Sequence, residues 1–168
     1  MPTACEALTT GQSCLVRCAN GYAGTAEPFT CSPFGSLSGT SPSCARMSCT
    51  DSPAGNTISH SCGSSVLFGD ECLVTCADGH QAEAGTVNLQ VWECVWSSGE
   101  GAMTLNGSLP ACEAAPCEVN LPNSSMLQRD CDGVTTGSAC SLSCAAGYTG
   151  EPETVQCLAS GALSISVP

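Results

Sequence analysis

Cysteine is the residue type in this chain with the most evident chemistry, because 16 of the 168 residues are cysteines. The close pairs have the spacing Cys-x3-Cys, as in Cys14 and Cys18, and only two histidines accompany them. Structural zinc sites favour Cys-x2-Cys pairs grouped in fours, often with histidine, so the spacing favours disulfides over zinc. Disulfides persist in secreted and extracellular proteins, and the composition therefore predicts a disulfide-rich extracellular chain.

Residues that could perform catalysis are few. His60 and His80 are the two imidazoles, and His60 stands between two serines. Neighbours in sequence do not make a catalytic triad, which is defined by geometry. A reactive thiolate needs nearby positive charge, and the chain has only three arginines and no lysine. The sequence therefore predicts no enzyme, no catalytic residue and no cofactor site.

The acidic residues give the chain a formal charge of −12. This charge opposes binding to nucleic acid and to anionic membranes, since both require Lys and Arg. No run of 18 apolar residues is present, so no membrane span is predicted. The acids are interpreted as a source of solubility through self-repulsion. A calcium site at Asp70-Glu71 or at residues 130–133 is the sharper alternative, but neither stretch supplies a series of six oxygen ligands, so no metal ligand is predicted.

One phrase occurs three times along the chain and defines three repeats. It reads GQSCLVRCANGYAG at 11–24, GDECLVTCADGH at 69–80 and GSACSLSCAAGYTG at 137–150. Aligned on the phrase, the middle repeat has six cysteines, the first lacks the first of the six, and the last lacks the sixth. Four residues separate the cysteines at each junction, Cys44-ARMS-Cys49 and Cys112-EAAP-Cys117. The predicted modules are 1–46, 47–114 and 115–168.

The register of the repeats suggests that the sequence is a piece of a longer array. Val167-Pro168 would open a closing Pro-x-Cys, which places the missing sixth cysteine two residues beyond Pro168. No signal peptide precedes the first repeat, so either the mature form or a segment of something longer is expected.

The local pattern predicts short β-strands. Cys14, Val16 and Cys18 share one face at period two, and Val74 and Leu142 hold the position of Val16 in the other repeats. Residues 86–92 also alternate, with three apolar side chains on one face. Modules of this size bury little core and depend on cross-links. We therefore predict an all-β chain of small disulfide-rich modules.

These motifs resemble the sushi domain, also called the complement control protein (CCP) module. The resemblance rests on Gly-x-x-Cys-x-(Val/Leu)-x-Cys-x-x-Gly-Tyr-x-Gly and on the closing Pro-x-Cys, and it covers nearly the whole chain. It implies small β-units strung end to end in an elongated tandem array. The chain departs from the family in two ways. Leu37, Met103 and Leu163 replace the usual tryptophan, and each repeat has an extra cysteine pair.

The resemblance also implies a disulfide pairing. Carried over to six cysteines, the first joins the fifth, the fourth joins the sixth, and the extra second and third join each other. The implied pairs are Cys49–Cys94, Cys76–Cys112, Cys62–Cys72, Cys5–Cys14, Cys18–Cys44, Cys117–Cys157 and Cys131–Cys140. Cys31 and Cys144 are left over, and are expected to pair in a longer chain or with a neighbouring copy. Sequence alone leaves the connectivity open, since six cysteines allow fifteen pairings.

Four further positions are candidate sites. Asn106 and Asn123 begin Asn-x-Ser sequons in predicted turns, so the chain is expected to be a glycoprotein. Trp92 and Trp96 flank Cys94 and either contact a partner or pack inside the middle module. The tyrosines of the phrase are expected to pack over the disulfides, with His80 as a structural substitute.

Two functions are predicted in order of preference. The first is a non-enzymatic structural protein, a tandem-repeat segment of a filament, surface fibre, hair or coat, which associates with itself or with neighbouring modules. The second is an adhesion or receptor module at the cell surface that binds a protein or glycan ligand. A secreted inhibitor is a third possibility, although no exposed reactive loop stands out.

Overall fold

The fold of the chain is all-β and cross-linked by disulfides. A computed structural model describes residues 5–119 and 121–165, and these residues contain strands and no helix. The strands are β1 (Ser13–Val16), β2 (Tyr22–Ala23), β3 (Glu27–Cys31), β4 (Leu37–Gly39), β5 (Ala45–Arg46), β6 (Ser48–Cys49), β7 (Ile58–His60), β8 (Val66–Leu67), β9 (Glu71–Cys76), β10 (His80–Ala82), β11 (Gln90–Ser97), β12 (Ala102–Asn106), β13 (Cys112–Ala114), β14 (Leu127–Arg129), β15 (Ala139–Cys144) and β16 (Glu153–Gln156). The predicted fold class is confirmed in its coarse form, an all-β disulfide-rich chain.

The strands form small antiparallel sheets. Three sheets have three or four strands, with the orders β1-β3-β4, β12-β11-β9-β7 and β14-β15-β16. Three more consist of two short strands each, β2-β5, β6-β8 and β10-β13. Strand β5 begins directly after Cys44, and β13 begins at Cys112.

The chain divides into two compact units that each combine separate segments. Unit 1 comprises 1–52, 62–72 and 92–107, and unit 2 comprises 53–61, 73–91 and 108–168. The division passes through residues 47–114, which the sequence predicts to be one module. The three-module organisation therefore stays a prediction.

Unit 1 is stabilised by disulfides and by short pairs of β-strands. Strand β3 pairs with both β1 and β4, with Cys14 opposite Phe29 and Cys31 opposite Leu37. Strands β11 and β12 form a hairpin in which Cys94 lies opposite Leu105.

Unit 2 has its core in the sheet β14-β15-β16. Cys140 lies opposite Val155 in this sheet. The surrounding cluster of buried residues consists of Cys117, Cys131, Cys140, Leu142, Val155, Cys157 and Leu163. Strand β7 pairs with β9, with His60 opposite Val74.

Cysteine dominates the interior of both units. Ten of the sixteen buried apolar residues are cysteines, and no polar or charged side chain of the described residues is buried. Val74 and Val155 are fully buried among them. A chain with so few large apolar side chains thus replaces hydrocarbon packing with covalent cross-links, as small extracellular modules commonly do.

The alternating segment 86–92 is a strand only from Gln90 onward. Val87 is 61% exposed, and residues 86–89 lie outside the strands. Two side chains explain the difference: the Asn88 Oδ1 atom accepts a hydrogen bond from the Cys76 N–H at 2.9 Å, and the Thr86 hydroxyl donates to the Glu83 carbonyl. Local side-chain bonds of this kind compete with a strand ladder.

Candidate functional site

Seven disulfides cross-link the described residues. They are Cys5–Cys14, Cys18–Cys44, Cys49–Cys94, Cys62–Cys72, Cys76–Cys112, Cys117–Cys157 and Cys131–Cys140. These are the same seven pairs that the resemblance implies. Their Cα–Cα separations run from 5.0 to 5.8 Å, inside the usual range for a disulfide. Disulfides in this number are typical of secreted or extracellular proteins.

Two cysteines are free thiols, Cys31 and Cys144. Cys31 is buried at the end of β3, and Cys144 is half-buried at the end of β15. The two thiols are not joined to each other in the structure. Val167-Pro168, which the repeat register places just before an expected sixth cysteine, lie outside the described residues.

The junction residues of the first repeat boundary carry a backbone bridge. We call the four residues between Cys44 and Cys49, and the four between Cys112 and Cys117, connectors. In the first connector, the Met47 N–H donates to the Gly21 carbonyl at 2.9 Å, and the Phe68 N–H donates to the Met47 carbonyl at 2.8 Å. Met47 thereby joins Gly21, in the repeated phrase of the first repeat, to Phe68, the residue just before the phrase of the second repeat.

The second connector carries the same bridge at the equivalent positions. The Ala115 N–H donates to the Gly79 carbonyl at 2.9 Å, and the Thr136 N–H donates to the Ala115 carbonyl at 2.8 Å. The Thr136 hydroxyl adds a bond to the same carbonyl at 3.2 Å. Ala115 and Met47 each stand three residues after a cysteine, so both connectors use one arrangement of backbone atoms.

Short strands extend each bridge. In the first repeat, Tyr22 lies opposite Arg46 and Ala23 opposite Ala45. In the second, His80 lies opposite Ala114, in the same register. His80 therefore holds the position that Tyr22 holds in the first repeat, and its role as a structural substitute stays a prediction.

A close aromatic contact packs the first connector. The Tyr22 ring meets the Phe68 ring edge-on, with centroids 5.6 Å apart. A Cβ atom at Gly21 would lie 2.5 Å from the Phe68 ring, so only glycine fits there. The sequence predicts Tyr22 over the disulfides of its module; in the structure its ring contacts Phe68 and is 38% exposed.

The connector bridge was not predicted from the sequence. Backbone atoms carry it, and the side chains differ between copies, methionine against alanine and phenylalanine against threonine. The signals that could have found it are the equal four-residue junctions and the glycine that precedes each tyrosine or histidine of the phrase.

The predicted acidic candidates are engaged with protein groups. Asp70 forms an ion pair with Arg46, and Asp132 pairs with Arg129 at 3.5 Å. The Asp130 Oδ1 atom accepts a hydrogen bond from the Ser141 N–H. Asp130 lies close to the sulfurs of Cys131 and Cys140, but these sulfurs form a disulfide and are not thiolate ligands.

The histidines lie in separate elements. His60 is in β7 and borders a shallow surface hollow with Ser59, Ser61 and Thr75. The Ser61 hydroxyl already accepts a hydrogen bond from the Leu73 N–H at 2.9 Å. The His80 Nδ1 atom lies 3.4 Å from the Asp78 carbonyl oxygen.

The two predicted sequons are on the surface. Asn106 is exposed at the last position of β12, rather than in a turn, and Asn123 is exposed in the segment before β14. Both amide side chains are therefore accessible to a glycosylating enzyme.

The two tryptophans are half-buried in β11. The Trp92 ring covers Gly107, where an added Cβ would lie 2.4 Å from the ring, and Trp96 lies opposite Met103 in the hairpin. Both contacts join residues within 47–114, as packing inside the middle module would, and a partner contact stays a prediction.

A comparison with models of known protein families finds no match for this chain. Among the described residues, no helix is long and apolar enough to cross a membrane.

Proposed function

We propose that this chain is a non-enzymatic extracellular structural protein, built from sushi-like modules and acting in a surface fibre, hair or coat. The observation that carries the proposal is the repeated connector bridge. Met47 and Ala115 make the same two backbone hydrogen bonds at 2.8–2.9 Å, although their side chains and neighbours differ.

A repeated bridge suits an array because repeat proteins gain stability from contacts between neighbours. Each connector bonds to the repeat before it and the repeat after it, so each boundary is held in the same way. Binding modules need one distinctive surface, whereas an array needs one contact that recurs. The recurrence therefore favours a structural role over the adhesion or receptor alternative.

The interior and the surface support the same role. Nine of the ten buried cysteines are disulfide-bonded, and a core cross-linked in this way suits a material exposed to proteases and to changing solvent. Exposed Asn106 and Asn123 offer glycan attachment in that setting.

Immunogold electron microscopy of cells that make the protein tests the proposal. Antibodies against residues 47–114 are expected to place gold in rows along extracellular filaments or across a coat. Gold confined to intracellular compartments would contradict the proposal. Scattered surface gold, together with a native protein that sediments as a dispersed species bound to a distinct partner, would favour the adhesion or receptor alternative.

A further inference from the structure

The segment that follows β4 is rich in exposed hydroxyl groups. Residues 40–43 read Thr-Ser-Pro-Ser, and none of them lies in a strand. Thr40, Ser41 and Ser43 are exposed, and Pro42 is half-buried. We call residues 40–43 the hydroxyl segment. Its side chains are accessible to an enzyme that acts on the folded chain.

Both ends of the hydroxyl segment are held in place. Gly39, the residue before it, ends β4, which pairs with β3. At the other end, the Ser43 carbonyl oxygen packs so closely on Gly24 that a side chain at Gly24 would clash with it. The next residue, Cys44, is disulfide-bonded to Cys18. The hydroxyl segment is therefore a short exposed span between two fixed points.

Pro42 restricts the backbone within this span. Proline fixes its own φ at about −65° and disfavours a helical backbone for the residue before it, here Ser41. The segment also lies outside the strands, so its backbone is not committed to a sheet. An enzyme can therefore bind residues 40–43 in an extended form without first breaking strand pairs.

The hydroxyls of this segment are not used by the fold. Other hydroxyls of the first repeat bond to each other, as those of Ser32 and Ser36 do with their oxygens 2.8 Å apart. The hydroxyls of Thr40, Ser41 and Ser43 form no hydrogen bond within the part of the chain that the structure describes. They can thus be modified without loss of a hydrogen bond that stabilises the module.

The second repeat has an N-glycosylation sequon at the equivalent position. Counted back from Cys44 and Cys112, residues 38–40, Ser-Gly-Thr, correspond to residues 106–108, Asn-Gly-Ser. The first repeat thus has the glycine and the hydroxyl residue of the sequon, but Ser38 stands where a sequon requires asparagine. This position cannot take an N-linked sugar in the first repeat.

The structure supports this alignment of the two repeats. A Cβ atom at Gly39 would lie 2.8 Å from the Phe29 ring, and one at Gly107 would lie 2.4 Å from the Trp92 ring. In both repeats an aromatic ring therefore covers the central glycine of the three residues. The hydroxyl segment begins directly after this glycine, on the same part of the module as the sequon of the second repeat.

We propose that the hydroxyl segment is an O-glycan attachment site, which accepts a sugar on Thr40, Ser41 or Ser43. Segments rich in serine, threonine and proline are typical acceptors of O-linked sugars. The first repeat then carries its sugar where the second has its sequon, just before the closing Pro-x-Cys. This inference rests on the extracellular placement in the proposed function and is independent of the fibre role.

The covalent step is the transfer of a sugar from a nucleotide-activated donor by a glycosyltransferase. The hydroxyl oxygen attacks the anomeric carbon of the sugar, and a carbon–oxygen bond to the protein forms. The bond from that carbon to the nucleoside diphosphate breaks, and the diphosphate leaves with the electron pair. The hydroxyl proton passes to a base of the transferase, so no oxidant or reductant is needed.

Glycopeptide mapping of the protein purified from extracellular material tests the proposal. Arg17 and Arg46 bracket the site, so trypsin releases it after reduction as the peptide 18–46. The peptide is expected to carry the added mass of one or more hexose or N-acetylhexosamine units after enzymatic removal of N-linked sugars. Fragmentation that preserves the sugar should place it within residues 40–43. The hydrogen-bonded Ser32 and Ser36 lie on the same peptide and should be unmodified.

A variant chain makes the test specific to the three hydroxyls. Thr40→Ala, Ser41→Ala and Ser43→Ala are combined and expressed in the cells that make the protein, and the N-deglycosylated product should lose this sugar mass completely. Ser52→Ala is the matched control, since Ser52 is also exposed and also precedes a proline, but Pro53 is buried. It should leave the sugar mass unchanged.

An unmodified peptide 18–46 would overturn the proposal, and so would a sugar confined to Ser32 or Ser36. A phosphate on Ser41 in place of a sugar would overturn it as well, in favour of a proline-directed kinase site. These failures are distinct from failure of the proposed function. Immunogold labelling places the protein outside or inside the cell whether or not the hydroxyl segment carries a sugar.

Discussion

At the residue scale, only a few aliphatic side chains are buried among the cysteines, and each contributes much of the packing around it. Val74 is fully buried, whereas Val87, eleven residues after Cys76, is 61% exposed. Val74→Ala removes two methyl groups from a packed site and is expected to lower the free energy of unfolding by about 2 kcal/mol. Val87→Ala should change it by less than about 0.5 kcal/mol. Denaturant unfolding with the disulfides intact measures both, and equal effects would contradict this picture of the core.

Side-chain alternation is informative only where no local polar bond intervenes. The period of two correctly places Val74 and Leu142 inward in strands β9 and β15. The same pattern fails for Val87, because Asn88 and Thr86 satisfy backbone groups locally and keep residues 86–89 out of the strand. The Asn88 side chain bonds to Cys76, which lies twelve residues away in the sequence. A pattern of neighbouring residue types cannot show that this bond forms in place of a strand hydrogen bond.

At the element scale, the connector depends on a glycine that is both left-handed and crowded. Gly21 has φ of +87° and lies against Phe68, whereas Gly11 has a similar φ of +82° and open space around it. Alanine at either position costs about 1–2 kcal/mol for the left-handed backbone. Gly21→Ala should cost at least about 1 kcal/mol more, because the Phe68 ring must move.

A double-mutant cycle isolates this contact. In a Phe68→Ala background the extra cost of Gly21→Ala over Gly11→Ala should disappear, because the ring that opposes the new methyl group is gone. The free energies of unfolding of the four variants and their parents give the coupling. An extra cost that survives in the Phe68→Ala background would show that something other than the aromatic contact excludes a side chain at Gly21.

The sequence indicates where the connectors lie but not which hydrogen bonds they form. Equal four-residue junctions predict a recurring boundary, and the repeated phrase predicts β-strands around it. The bonds themselves run through the backbone of Met47 and Ala115, whose side chains have nothing in common, so residue types could not reveal them. The sequence does not reveal the role of Phe68 for a related reason: its counterpart in the next repeat is Thr136, so the repeats share no aromatic position there.

At the scale of the whole molecule, the disulfides should contribute according to the length of chain they close. Cys49–Cys94 has a sequence separation of 45, and Cys62–Cys72 has a separation of 10. Loop entropy predicts that the first stabilises the fold by roughly 4 kcal/mol and the second by roughly 3 kcal/mol. Replacing each pair by alanines and comparing the unfolding free energies checks the order. A larger loss for the Cys62–Cys72 pair would mean that packing of the sulfurs outweighs loop closure.

The net charge predicts how the melting temperature changes with salt. The sign of that change follows from the sizes of two opposing electrostatic effects. A formal charge of −12 opposes compaction, and this repulsion weakens as salt shortens the screening length to about 10 Å at 0.1 M. The opposing loss comes from the two ion pairs of the described residues, Arg46–Asp70 and Arg129–Asp132, which lie at the surface and are each worth at most about 1 kcal/mol. The melting temperature should therefore rise between 20 mM and 500 mM NaCl.

An Arg46→Gln variant provides the matched control for this salt effect. It removes one attraction that salt weakens and adds one unit of net negative charge, so its melting temperature should rise more steeply with NaCl than that of the parent chain. Differential scanning calorimetry at matched protein concentration measures both slopes. A melting temperature that falls with salt in the parent chain would contradict this prediction. It would mean that the local ion pairs outweigh the repulsion of the summed charge, and the acidic surface would then be better explained by a binding role.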